Sequence, residues 1–181
     1  HQTEKGFSFE VPDAKILTRY LDSHATLWLG TYDQGYHVIY AYEELFNNDS
    51  WLKASLGQKS VVSVDSDSND NLWISTLKDG LYMYNPDSAT FKKIDLRRIY
   101  NYEAAGNLDI TCVFVDSKDK VWLTGNSGVS RCRVRDNDLV VEKSWPVFFP
   151  MGMSEDADGR IWIGSMGENV HYISPEDDTV R

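Results

Sequence analysis

Four stretches of the chain run through one alternation of apolar and polar positions: "LDSHATLWLGTYDQGYHVIY", "DSNDNLWISTLKDGLYMYN", "VDSKDKVWLTGNSGVSRCRV" and "EDADGRIWIGSMGENVHYI". Each passes from a polar cluster of Asp, Ser, Asn or Gly into a short apolar core with Trp at its second position. A second polar turn follows, and then a segment that alternates with period two. Short alternating segments bounded by turn residues predict β-strands. An apolar strand also precedes each polar cluster, as in "ITCVFV" from Ile110 to Val115. One copy therefore predicts an antiparallel meander of three strands, with "TFKKI" and "LVVEK" supplying a more polar, outermost fourth.

The copies are regularly spaced. Trp28, Trp73, Trp122 and Trp162 are separated by 45, 49 and 40 residues, and an aspartate stands six positions before each: Asp22, Asp67, Asp116 and Asp156. A recurrence of this length marks stacked or circular repeat folds. Aspartate in a tight turn accepts hydrogen bonds from the backbone N–H groups that follow it, which fixes the first hairpin. The tryptophan fills the wedge between neighbouring repeats, and its indole N–H needs an acceptor there. The "LWL", "IWI" and "VWL" cores place large apolar groups on both faces of the strand. A two-sheet sandwich leaves one face of each sheet wet, whereas a propeller blade is flanked on both. The predicted fold is all-β: a partial β-propeller of about four four-stranded antiparallel blades. They lie in a single segment, 1–181, with blades near 15–57, 58–107, 108–145 and 146–181.

Charge and composition narrow the partners. The balance of 18 basic against 28 acidic residues gives a net charge of -10, which repels nucleic acid and anionic lipid. With 41% hydrophobic and 13% aromatic residues there is enough apolar material for a buried core. No apolar run approaches the roughly 20 residues of a membrane helix, so the segment itself is not expected to insert. The start, "HQTEKGFSFE", has neither an initiator Met nor the layout of a signal peptide, and the chain is expected to be a piece of something longer.

The motif Asp-x5-Trp73-Ile74-Ser75-Thr76 with Gly80-Leu81-Tyr82-Met83-Tyr84 resembles the two-component regulator propeller repeat, and the resemblance extends over about residues 15 to 175. The copies depart from it at Ala25, at Asp70, and in the third copy at Lys118-Asp119-Lys120 and "VSRCRV". The resemblance implies the periplasmic sensor region of a hybrid two-component system of gut Bacteroidetes, with sensor kinase parts elsewhere in the protein. It also implies seven-bladed rings, so the remaining blades of a parent propeller, or a second copy of the chain, are the expected partners at the open edges. Detection of a glycan fragment is the expected role. The alternatives are a structural or protein-interaction propeller, and behind it a propeller glycoside hydrolase.

Candidate chemistry outside the repeat is sparse. "DSDSNDN", Asp65 to Asn71, alternates oxygen-bearing side chains as a calcium loop does, but Asp70 and Thr76 stand where such a loop requires Gly and Glu, so a capped turn is expected and no metal. Cys112 and Cys132 fall on strands separated by a third, beyond disulfide reach, which predicts two free buried thiols. The histidines are scattered, and the arginines crowd into one or two repeats, where a sialidase-like enzyme needs a central cluster. No cofactor and no catalysis are expected of this segment. Two inserts lengthen the loops: "AYEELFNNDSWLKASLG", read as holding a short helix from Ser50 to Gly57, and "LRRIYNYEAAGNL".

The meander also places a recognition surface. The Asp turn joins strands one and two at one rim, so the turns between strands two and three, and the crossings between blades, emerge at the other. There the sequence gathers Tyr32, Gln34, Lys78, Arg98, Tyr100, Tyr102, Asn126, Trp145 and Glu168. Aromatic faces beside amides and charges suit an oligosaccharide, which offers apolar C–H faces and hydroxyl edges. The plainer reading of the same residues is that they line loops or contact further blades.

Overall fold

The computed structural model describes residues 15–22, 26–39, 56–57, 59–96, 109–125, 128–167 and 170–181. They form four antiparallel sheets. Blade 1 holds β1 (Ile16–Leu21), β2 (Leu27–Thr31) and β3 (Tyr36–Ile39), and blade 2 holds β4 (Val61–Ser66), β5 (Leu72–Thr76), β6 (Gly80–Asn85) and β7 (Thr90–Lys93). Blade 3 holds β8 (Ile110–Val115), β9 (Val121–Gly125), β10 (Gly128–Arg135) and β11 (Asp138–Trp145), and blade 4 holds β12 (Pro150–Glu155), β13 (Ile161–Ser165) and β14 (His171–Ile173). Within every sheet the strands lie in chain order, the meander that the alternation predicts. "TFKKI" and "LVVEK" supply β7 and β11, as expected of outermost strands. After β14 the chain turns back: Tyr172 and Arg181 exchange backbone hydrogen bonds of 2.8 and 2.9 Å, and Val180 bridges to Ile173. The expected helix and the lengthened loop lie outside the described residues, apart from the ends at Leu56, Gly57 and Leu96.

The inner strands adjoin one another in succession, β1 to β4, β4 to β8 and β8 to β12. Each carries an irregularity in its pairing at the same place, at Ile16/Thr18, Val61/Ser63, Ile110/Cys112 and Pro150/Gly152. A bulge there sharpens the strand's twist.

The core lies between the blades. Trp28 and Tyr36 of blade 1 pack on Val61, Leu72, Ile74 and Tyr82 of blade 2. Trp73, Leu81 and Met83 of blade 2 pack on Ile110, Val113, Val121 and Leu123 of blade 3. Trp122, Val129 and Trp145 of blade 3 pack on Ile161, Ile163 and Ile173 of blade 4. This layering is why the second strands are apolar on both faces: one face meets the preceding blade and the other the following one. Trp28, Trp73 and Trp122 are accordingly 8, 0 and 2% exposed, and Trp162, with no following blade on its face among the described residues, is 37% exposed.

Both cysteines are free, and β9 separates them: Cys112 lies opposite Thr124 and Cys132 opposite Val121, with Cys132 buried as expected and Cys112 only half-buried. Burial pushes both thiols up, Cys132 to about 12.

Candidate functional site

The turns between strands one and two share one hydrogen-bond pattern. The motif aspartate accepts backbone N–H groups with Oδ1: Asp67 from Asn69 and Asn71 (3.0 Å each), Asp116 from Lys118 and Lys120 (3.0 and 2.8 Å), and Asp156 from Asp158 and Arg160 (2.9 and 3.0 Å). Its Oδ2 accepts the indole N–H of the tryptophan six residues on, at 2.9, 3.0, 2.7 and 2.7 Å in blades 1 to 4. Three residues after the aspartate, Asp70, Asp119 and Gly159 adopt positive φ (57°, 62° and 76°), a conformation that glycine and short polar residues tolerate. In Asp65–Asn71 the carboxylates are spent inside the fold. Asp67 also takes the Asn71 amide (2.9 and 3.0 Å), and Asp65 takes the Val115 N–H of the next blade at 2.7 Å. The stretch that mimics a calcium loop is a capped turn.

The opposite rim is held as firmly. Thr31 and Thr76 donate their hydroxyls to the Gly35 and Gly80 carbonyls (2.9 Å each), and both glycines have positive φ (77° and 86°). In blades 1, 2 and 4 the first residue of the turn donates its N–H to the residue before the inner strand: Tyr32 to Lys15 (2.9 Å), Leu77 to Ser60 (2.8 Å) and Met166 to Phe149 (2.9 Å). Tyr32, Leu77 and Met166 therefore occupy equivalent places on one rim. Tyr32 is exposed, with the Lys15 ammonium 5.4 Å from its ring centre, and Gln34 is exposed beside it. Lys78 is exposed, and its backbone N–H donates to Asp109 at 2.9 Å. Next to it, partial burial favours a protonated Asp79. Hydrogen bonds from Lys93 (2.7 Å) and the Tyr82 hydroxyl outweigh that and hold the carboxyl below its ordinary value.

Trp145 ends its strand at this rim, opposite Val129, but its side chain is turned inward. It closes β11, is 5% exposed, stacks on Trp122 at 5.4 Å, and donates its indole N–H to the Asp178 carbonyl at 2.8 Å. It is a second wedge between blades 3 and 4. Arg98, Tyr100, Tyr102, Asn126 and Glu168 lie outside the described residues.

Three side chains missed by the sequence reading take the exposed places: Phe148 (59%), Phe149 (52%) and Met166 (60%). The two phenylalanines meet edge to face at 4.5 Å. Phe149 has φ 42°, an uncommon conformation for a bulky residue and one associated with functional sites. The signal lies within "SWPVFF", where Trp145 and Val147 alternate inward and Phe148 and Phe149 follow outward.

A cavity of about 290 Å³ opens between blades 3 and 4 at the Asp-turn rim. Four of its charged side chains pair with one another. Arg131 forks onto Asp178 (2.7 and 3.1 Å), lies 3.3 Å from Glu142, and rests over the Trp122 and Trp145 rings. Lys120 pairs with Glu142 at 2.7 Å. The bond from Arg131 holds the Asp178 carboxyl below its usual range, and Asp178 raises Arg131 in turn. The arrangement clamps the C-terminal segment onto blade 3.

Residues 147–167, from the Phe148–Phe149 crossing through the Asp156–Trp162 hairpin, match the two component regulator propeller family. The match spans the first two strands of blade 4, β12 and β13. Blades 1 to 3 share its hairpin, bond for bond between Asp Oδ2 and the indole. Among solved structures, the chain is similar to the extracellular domain of a hybrid two-component system from B. thetaiotaomicron, with 22% identity, a TM-score of 0.72, and 99% of this chain set against 25% of that one. It is also similar to virginiamycin B lyase from Staphylococcus aureus, with 13% identity, a TM-score of 0.67, and coverage of 97% and 57%. A second extracellular domain from B. thetaiotaomicron gives 19% identity, a TM-score of 0.62, and coverage of 92% and 24%. These likenesses establish the propeller fold, and the chain spans about a quarter of the length of the two extracellular domains. No curated protein sequence matches it.

Proposed function

We propose that this run of propeller repeats is a non-catalytic, ligand-sensing segment on the extracytoplasmic side of a hybrid two-component sensor, and that its rim of turns between strands two and three recognises an oligosaccharide. The observation that carries the reading is the set of exposed rings on rigid turns at that rim: Tyr32 at one end of the run and the Phe148–Phe149 pair at the other. Ring faces held by backbone hydrogen bonds lose little freedom when a sugar stacks on them, and Gln34 and Lys78 supply donors to its hydroxyl edges. The extracellular, sensory setting of the B. thetaiotaomicron relatives supports the compartment and the class of protein.

A panel of neutral and acidic oligosaccharides, followed by ligand-dependent melting shifts, tests the reading. A shift with at least one glycan that Tyr32→Ala or Phe148→Ala abolishes is expected. A shift that survives both substitutions together moves recognition off this rim. No shift with any glycan favours a protein-interaction propeller, a reading that the apolar character of Phe148, Phe149 and Met166 also accommodates.

A further inference from the structure

Leu77 and Met166 open equivalent turns on the recognition rim, so Lys78 and Gly167 stand at one equivalent place. Both have positive φ there, 68° and 79°. Glycine adopts that conformation freely, whereas a long side chain holds it against steric strain, and such strain gathers at functional sites. Blade 2 thus keeps a lysine where blade 4 makes the same turn with glycine. The Lys78 backbone is fixed by its N–H bond to Asp109 at 2.9 Å, and the residue is exposed.

Lys15, Lys59, Lys78 and Lys93 stand around the turns of blades 1 and 2. Lys59 and Lys93 are both tied to Asp79, at 3.5 and 2.7 Å. Lys15 and Lys78 pair with no carboxylate among the described residues. Lys15 instead holds its ammonium 5.4 Å from the centre of the exposed Tyr32 ring. Of the carboxylates nearby in the fold, Asp79 is occupied by its lysines and the Tyr82 hydroxyl, Asp109 takes the Lys78 N–H, and Asp33 is exposed.

A chain with a net charge of -10 repels anions at long range. It can hold one only where cations stand free of its own carboxylates, beside a surface that positions the rest of the ligand. Lys15 over Tyr32 and Lys78 on the turn of the neighbouring blade meet that requirement. An ammonium group offers three N–H donors to carboxylate or sulfate oxygens, and such charge-assisted bonds are stronger than those to a sugar hydroxyl.

We infer that Lys15 and Lys78 are specificity-determining residues, which read a fixed negative charge, a carboxylate or a sulfate ester, on the saccharide that stacks on Tyr32. The inference rests on oligosaccharide recognition by this rim, and adds the class of the ligand and the side chains that select it.

The test titrates the intact protein with two charged probes, oligogalacturonides and carrageenan oligosaccharides, each beside its carboxyl-reduced or desulfated counterpart. One charged probe is expected to bind about ten-fold more tightly than its neutral counterpart, and which one it is separates carboxylate from sulfate. Lys78→Gly should weaken that binding by about the same factor and leave the melting temperature of the free protein unchanged, because glycine fits the turn. Lys78→Arg should retain binding, and Lys15→Gln should weaken it. Lys118→Gln removes the same charge from an exposed position on the opposite rim and should have no effect. A loss with Lys118→Gln equal to that with Lys78→Gly assigns the effect to net charge and overturns the inference. No binding of either charged probe, or equal binding of its neutral counterpart, overturns it too. If a neutral glycan then still binds and Tyr32→Ala abolishes that binding, the rim reading stands without it. No binding of any saccharide, charged or neutral, removes both.

Discussion

The Asp67 carboxylate joins two parts of blade 2: Oδ1 holds the turn, and Oδ2 accepts the indole N–H of fully buried Trp73 at 3.0 Å. Turn and wedge are thus one unit, repeated four times with the same atoms. Removing the aspartate loosens the turn and also strands a donor inside the interface between blades.

Asp67→Ala should therefore cost about 3 kcal/mol, near the upper range for leaving a buried donor unsatisfied while losing turn bonds. Asp156→Ala should cost less, because its partner Trp162 can reach water. Denaturant titration of both variants checks the order, and equal losses would mean that the indole bond adds nothing to the turn.

The tryptophans should be unequal in the same way. Trp122→Ala removes a ring that is 2% exposed and stacked on Trp145, and should cost about 3 to 5 kcal/mol. Trp162→Ala should cost about 1 kcal/mol in this chain, since much of its ring already meets solvent. Melting curves of the two variants decide between this and four equivalent wedges.

The Cys132 thiol should be silent until the protein unfolds. With Cys132 pushed up to about 12, labelling of the folded chain at pH 8 should be slow, and two thiols should titrate in denaturant without reductant. Fewer than two would place a disulfide across β9, which the strand order forbids.

Acid should loosen the clamp on the C-terminal segment. Because the folded Asp178 carboxyl lies below its ordinary value, the contribution of the Arg131–Asp178 pair is complete above the unfolded aspartate range, near about 4. It is lost as the pH falls through the lower, folded value. Asp178→Asn should lower stability at neutral pH and flatten the fall in acid. Melting temperatures from pH 7 to pH 2 show this, and parallel curves for variant and parent would rule the clamp out as a source of acid sensitivity.

Much of this architecture was legible because the repeat constrains it. Five residues between Asp and Trp, with aliphatics on either side of the ring, require a hairpin whose second strand is covered on both faces, and "TFKKI" and "LVVEK" read correctly as outer strands. The sequence posed two needs, a turn acceptor and an indole acceptor, but adjacency along the chain does not reveal that one carboxylate meets both. The inner-strand irregularities were hidden because they depend on twist and not on polarity. The inward turn of the Trp145 ring was hidden for a related reason: β11 runs on through Ser144, so a residue read as crossing loop is the last inward position of a strand. Phe148 and Phe149 were not singled out, since their exposure follows from a backbone reversal, φ 42° at Phe149, that no periodicity encodes.

The most direct measurement is hydrogen exchange of the individual indole N–H groups in an assigned ¹⁵N spectrum of the wild type and of Asp67→Ala. If each motif aspartate ties its own tryptophan into its blade, the Trp73 indole exchanges slowly in the parent and loses that protection in the variant, while the Trp122 indole, held by Asp116 at 2.7 Å, changes far less. A Trp73 indole equally protected with and without the Asp67 carboxylate would contradict the account.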